Sequence, residues 1–197
     1  MIIVGLDIAT NTGIAVIDNG KLTYYSLVPS PVFHFDHSTA EDYRFIETAN
    51  RIADAISLTL KPLEFDFIFI EQTNKGRNRT TQKQLEFIHF AVLSKLKEMS
   101  TDTVVKYIDT SAWRRILTIK LNKTQNDHNK KVKRGEIRGK ITPKHLSVYW
   151  ANSTYNLALK LKDDDIADAI AIASAGYKIQ SNTLVGITDI QLDQLFS

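Results

Sequence analysis

The sequence predicts an α/β protein, a mixed five-stranded sheet with helices on both faces. Three observations carry this expectation. Apolar runs at residues 2–8 and 65–71 are of strand length and lack a helical period. A turn signal, Asp18-Asn19-Gly20, joins two further short runs as a hairpin. After that hairpin, helical patterns alternate with strand patterns, the order of a sheet covered by helices.

The elements follow in order. Residues 2–8 read as a buried strand, 13–18 as a second and 21–27 as its hairpin partner, ended by Pro29 and Pro31. Residues 32–39 form a loop with Phe33, His34, Phe35 and His37; these could stack on unpaired bases or fold back onto the hairpin. Ser38 or Thr39 is placed to cap a helix to about Leu60, with Ile46, Ala49, Ile52, Ala53 and Ile56 on its apolar face. Residues 65–71 are the fourth strand. A helix over about 81–98 buries Leu85, Ile88, Val92 and Leu96, and Phe87, Phe90 and Ala91 widen its apolar face. Residues 103–108 are the fifth strand, and Asp109 or Ser111 caps a short helix through Ile116. A basic loop insertion at about 120–141 then interrupts regular structure. Helices resume from Pro143 to about Trp150 and from about Lys162 to Ile179. Right-handed crossovers place the first, fourth and fifth strands side by side and parallel. The whole chain, 1–197, reads as one domain.

Composition narrows the class. The hydrophobic fraction of 43% suffices for a core, and no apolar stretch is long enough to span a membrane. With no cysteine, disulfides and thiolate metal sites are excluded, and any metal must be held by oxygen or imidazole. Lack of cysteine and of a signal-peptide pattern points to the cytoplasm. The net charge of +3 is unevenly placed: Lys120 to Lys144 carries +7, and the rest of the chain −4. Such a segment is either a phosphate-backbone contact or a solvated loop without a partner.

Four carboxylates carry most of the chemistry. Asp7 ends the first buried run, and Glu71 ends the fourth strand. Asp165 and Asp168 stand three apart at the start of an Ala-rich helix, so they share a face. Alone, Asp165 could be a helix cap, Asp168 a surface acid and Asp7 a turn former. An acid at the end of a buried strand, however, is costly unless paired or bound to metal. The first and fourth strands end at the crevice where open α/β sheets bind ligands. Ala167, Ala169, Ala171, Ala173 and Ala175 let the last helix approach the sheet closely, bringing all four acids together. Oxygen-only ligation suits Mg²⁺ or Mn²⁺. Two such ions can serve an in-line phosphodiester displacement, with nearby Lys or Arg stabilising charge on the phosphate.

These motifs resemble those of the RuvC-type Holliday junction resolvases, within the RNase H-like nuclease superfamily. The matching residues are Gly-Leu-Asp7-Ile-Ala-Thr-Asn-Thr-Gly13-Ile-Ala-Val, Phe-Ile-Glu71-Gln and Asp165-Ile-Ala-Asp168-Ala-Ile-Ala-Ile-Ala, in order across residues 1 to about 176. The resemblance implies an RNase H-like fold with Asp7, Glu71, Asp165 and Asp168 as metal-binding catalytic acids, two ions per active site. It implies paired nicking of a four-way DNA junction that leaves 5′-phosphate and 3′-hydroxyl ends. It also implies a homodimer through the helix at about 81–98. Lys144 stands where relatives carry a basic residue near the scissile phosphate, and Arg114 or Arg115 is a candidate for another. Lys75, Arg77, Arg79, Lys130, Lys131, Lys133 and Arg134 are the further candidate DNA contacts. The chain departs from some relatives at Asn74, where they carry an aromatic wedge, and in the basic insertion. The longer loop resembles a phage-encoded branch, which would act in the host cytoplasm.

Two rival readings remain open. Another RNase H-like nuclease, acting on flaps, other branched DNA or RNA, would share the acids. An actin-like or sugar-kinase-type ATP-binding domain would share the Asp and the Thr/Asn-rich turn. It would also need a duplicated second domain and more glycine than the eight present here.

Overall fold

Alternation along the strands decides which side of the sheet each residue serves, because successive side chains point to opposite faces. The computed structural model describes residues 1–32, 40–73, 78–99 and 103–184. β1 (Ile2–Asp7), β2 (Thr12–Asp18) and β3 (Lys21–Val28) form an antiparallel meander. The β2–β3 turn is the expected one, with Asn19 and Gly20 at φ 47° and 82°. β4 (Phe67–Glu71) pairs parallel to β1, and β5 (Val104–Ile108) pairs parallel to β4. The strand order β3-β2-β1-β4-β5 is thus a mixed five-stranded sheet.

Helices cover both faces. Val4, Leu6, Ile14, Val16, Ile68 and Ile70 pack under α1 (Glu41–Leu60) and α2 (Arg79–Met99). Ile3, Ala15, Ile17 and Phe69 face α3 (Thr110–Ile116), α5 (Pro143–Tyr155) and α6 (Asp164–Leu184). Asp7 and Glu71 continue this second alternation, so both belong to the α6 face.

Glycine and alanine set the approach of α6. A Cβ on Gly5 would lie 2.4 Å from the Ala169 carbonyl oxygen and 2.5 Å from the Ala173 nitrogen. A Cβ on Gly13 would lie 1.9 Å from the Asp165 carbonyl oxygen. Gly13 is the β2 register partner of Asp7. The small residue beside Asp7 is therefore what admits the first turn of α6 to the acid on β1.

Several expectations are corrected. The basic segment is not a continuous loop: α4 (Lys123–Lys133) stands in it. A capping box starts α4, with Asn122 accepting from the Gln125 nitrogen and Gln125 accepting in return. Asn129 then exchanges two hydrogen bonds with the Ile141 backbone, at 2.9 and 2.8 Å, and His128 Nε2 lies 2.7 Å from the Gly139 oxygen. Density of charge hid a helix that polar side chains tie to the segment that returns from it. On α1, Ala49, Ile52, Ala53 and Ile56 are buried as expected, but Ile46 is 39% exposed, and Phe45, Thr48 and Leu60 complete the buried stripe. The N-cap is Ala40, without a side-chain cap bond. On α2, Phe90 is 72% exposed and His89 is buried in its place. α5 and α6 run on past their expected ends, α5 to a left-handed cap at Asn156. Ser38, Thr39, the Phe33, His34, Phe35 and His37 loop, Asn74, Lys75 and Arg77 lie outside the described residues.

Candidate active site

The site forms where β1 and β4 end and α6 begins. Leu6 pairs with Ile70, so Asp7 and Glu71 follow as neighbours on adjacent parallel strands. Asp165 lies in the first turn of α6, where the helix dipole favours negative charge. Asp165 is not the cap. That place belongs to Asp163, whose carbonyl accepts from the Ala167 nitrogen. Asp168 sits one turn further on and is only 7% exposed.

The acids feel one another. Burial pushes the Asp7 carboxyl well above the usual carboxylate range, and the charges of Asp168, Glu71 and Asp165 add to it. Burial is also the main reason that Asp168 is pushed up to about 6, against the opposing pull of Ser147 and Arg114. Asp165 is raised by burial and by Asp164, and lowered by Lys144.

Lys144 lies beside this cluster. Thr142 and His145 form the capping box that starts α5. Lys144 in that first turn is ion-paired with Asp164, and its Nζ lies 3.7 Å from Asp165 Oδ1. Burial opposes its charge, but Asp164, Asp165 and Asp168 outweigh that, and its pKa is raised.

Glu71 is held from the other side. Thr110 Oγ1 donates to Glu71 Oε1 at 2.6 Å, and Trp113 Nε1 donates to Glu71 Oε2 at 2.9 Å. Asp109 caps α3 by accepting from the Ser111 nitrogen, and hydrogen bonds from the Ser111 side chain and then its backbone hold the Asp109 carboxyl below the usual range. The Arg114 guanidinium stacks over the Trp113 ring at 4.7 Å. Arg114, a candidate DNA contact, is half-buried beside the acids; its charge acts on Asp168, and its Nε is buried without a hydrogen-bond partner.

Thr110, Trp113, Arg114 as counter-charge and Ser147 were not anticipated as parts of the site. A signal for two of them exists in the sequence. Thr110 and Trp113 are three apart, share a helical face, and directly follow a strand adjacent to β4. A buried indole also needs an acceptor.

The donors suit a hard divalent cation. All are oxygens, and Asp168 Oδ1 is buried without a hydrogen-bond partner. Among the described residues, no three His, Asp or Glu side chains converge closely enough to hold an ion by themselves. That is compatible with Mg²⁺, which uses one or two carboxylates and leaves the other positions to water and substrate phosphate.

The remaining candidate basic residues lie apart from this pairing. Arg79, Arg115, Lys130, Lys131, Lys133 and Arg134 are exposed. Lys130 pairs with Asp127 at 3.0 Å and Arg134 with Glu136 at 3.7 Å, both on the surface.

Known structures share this architecture. RuvC of T. thermophilus in complex with a Holliday junction substrate superposes with a TM-score of 0.64 at 15% identity, covering 93% of this chain and 98% of that one. A second Thermus thermophilus RuvC structure gives 0.58 at 16% identity, with the same coverage. The fold is that of the RuvC-type resolvases. Ydc2, the yeast mitochondrial Holliday junction resolvase, also has it, at TM-score 0.53 and 14% identity over 91% of this chain and 78% of its own. No family model matches the chain, and no curated protein sequence does. The RuvC-type fold that the motifs resemble is thus seen in the tertiary structure. Among the described residues no helix is long and apolar enough to cross a membrane.

Proposed function

We propose that this protein is a structure-selective DNA endonuclease that resolves four-way junctions by paired, divalent-metal-dependent nicking, leaving 5′-phosphate and 3′-hydroxyl ends. The supporting observation is the position of Asp7, Glu71, Asp165 and Asp168 at one end of a RuvC-type sheet, where burial first, and then the charges of Asp168, Glu71 and Asp165, push the Asp7 carboxyl well above the usual carboxylate range. In this reading Asp7, Glu71, Asp165 and Asp168 hold Mg²⁺ or Mn²⁺, two ions per site. Bound divalent ions supply an activated water and charge stabilisation for the leaving oxygen. Through the cations they would hold, the acids direct the scissile phosphate to the ends of β1 and β4. Lys144, beside Asp164 and Asp165, is the positive charge placed to offset charge building on the phosphate. The test is cleavage of a labelled synthetic four-way junction against duplex and single strand, with Mg²⁺ and with EDTA. Paired nicks near the crossover, lost with EDTA, are expected. Metal-dependent cutting without junction preference would move the substrate to flaps, other branched DNA or RNA.

The α4 arm is proposed as a backbone contact. Its exposed Lys130, Lys131, Lys133 and Arg134 suit phosphate, and the Asn129–Ile141 bonds give the arm a defined shape. Replacing the four by Gln should weaken junction binding and flatten its salt dependence by roughly one slope unit per lost phosphate contact. An unchanged slope in a binding series over salt concentration would remove the arm from the interface.

Paired nicking calls for two copies. We place the dimer contact on α2, where Phe90 is exposed beside half-buried Phe87. Sedimentation velocity at micromolar concentration should show a dimer that Phe90→Ser weakens. Monomer alone, with and without junction DNA, would exclude it.

A further inference from the structure

We propose that Thr110 and Trp113 are positioning residues, which fix both oxygens of Glu71 so that α3, rather than any bound ion, sets the direction of that carboxylate. The inference deepens the metal-dependent reading above and rests on it. Three observations carry it. Both Glu71 oxygens are engaged at once, by a hydroxyl at 2.6 Å and an indole N–H at 2.9 Å. The two donors lie on one face of α3, whose start is held by Asp109. Trp113 is fully buried in the core beneath the site, so its N–H direction is set by packing and not by solvent.

The physical consequence is specific. A carboxylate on the last residue of a strand has freedom at each side-chain bond. Two donors from one rigid helix remove that freedom before any cation arrives. Each donor uses one lone pair of its oxygen and leaves the other available to a cation. Partners of this kind fix the orientation of metal ligands, and their loss typically costs 10–100-fold in metal affinity or activity. Arg114, stacked on Trp113, also acts by its charge on Asp168, so α3 bears on two of the acids.

The experiment uses the full chain and the indole N–H of Trp113 as reporter. The chain has two tryptophans, so Trp150→Phe assigns the remaining indole resonance in a ¹⁵N spectrum. Mg²⁺ is titrated into the wild type, Thr110→Val and Thr110→Ser, with thermal midpoints recorded alongside. The Trp113 resonance should shift with Mg²⁺ in the wild type. Thr110→Val should need about tenfold more Mg²⁺ and lower kcat for junction cleavage with KM for DNA unchanged, and Thr110→Ser should restore both. A merely structural threonine would lower the thermal midpoint and leave the Mg²⁺ titration in place. A Thr110→Val titration that superposes on the wild type would therefore overturn the proposal. Trp113→Phe gives a second variant, read by its Mg²⁺-dependent cleavage. A wild-type resonance that moves on Glu71→Gln but not with Mg²⁺, together with no metal-dependent cleavage, would overturn the metal reading itself and the role built on it.

Discussion

Asp7→Asn is expected to lower metal-dependent junction cleavage by about 10³-fold or more while leaving junction binding intact or tighter. Asp7 is the acid at the centre of the cluster: Asp168, Glu71 and Asp165 all act on it. Neutralising it removes an anionic oxygen from the proposed ion site. Loss of about 4 kcal/mol of charge stabilisation corresponds to that rate factor. The same change removes a negative charge from the surface that meets the phosphate, which is why binding should not weaken. Asparagine is isosteric with aspartate, and the packing of α6 over Gly13 does not depend on the charge. Single-turnover cleavage and a binding isotherm on one labelled junction read the two quantities separately. Cleavage near the wild-type rate would remove Asp7 from the site.

Asp168→Asn should stabilise the metal-free protein at neutral pH and have no such effect in acid. Burial pushes the Asp168 carboxyl up to about 6 in the folded protein, against an ordinary value of 3.8. The folded state therefore holds its proton to higher pH than the unfolded chain. Stability from this group is complete below the unfolded value and is lost as pH rises through the folded one. The difference amounts to about 3 kcal/mol at pH 7.5. Asp7 and Asp165 shift in the same direction and deepen the loss. Urea unfolding of wild type and variant in EDTA should coincide near pH 4 and diverge as pH rises to 6. A constant gap across that range would show that the carboxylate carries no such penalty. Saturating Mg²⁺ should raise wild-type stability at pH 7.5 more than at pH 4, since it binds the charged form.

Much of this molecule was legible one segment at a time. The apolar runs, the Asp18-Asn19-Gly20 turn and the alternation of patterns marked five strands and a hairpin, because hydrophobic period and turn chemistry are local properties. The acids were legible for the same reason. Asp7 and Glu71 are conspicuous at the ends of buried strands, and Asp165 and Asp168 share a face by spacing alone. Charge misled in one place. The run of lysines reads as a loop, yet Asn122, Gln125, His128 and Asn129 build and anchor a helix there. Their effect lies in geometry to the backbone, which composition does not display.

Tertiary structure alone decided the surroundings of those acids. Gly13 matters because Asp165, some 150 residues later, crosses it, and only the register of β1 with β2 puts that glycine beside Asp7. Thr110 and Trp113 meet Glu71 because β5 docks parallel to β4 and delivers α3 to the same end of the sheet. Arg114 stands in the sequence only as a candidate phosphate contact, and its half-buried place over Trp113, where its charge acts on Asp168, appears only in the folded structure. By itself, then, the sequence determined which residues are acids at strand and helix ends and which segments must be buried, because periodicity and spacing act over a few residues. Which side chain faces each acid was settled only by folding, because hydrogen bonds and charges act through space between elements that the chain order keeps apart.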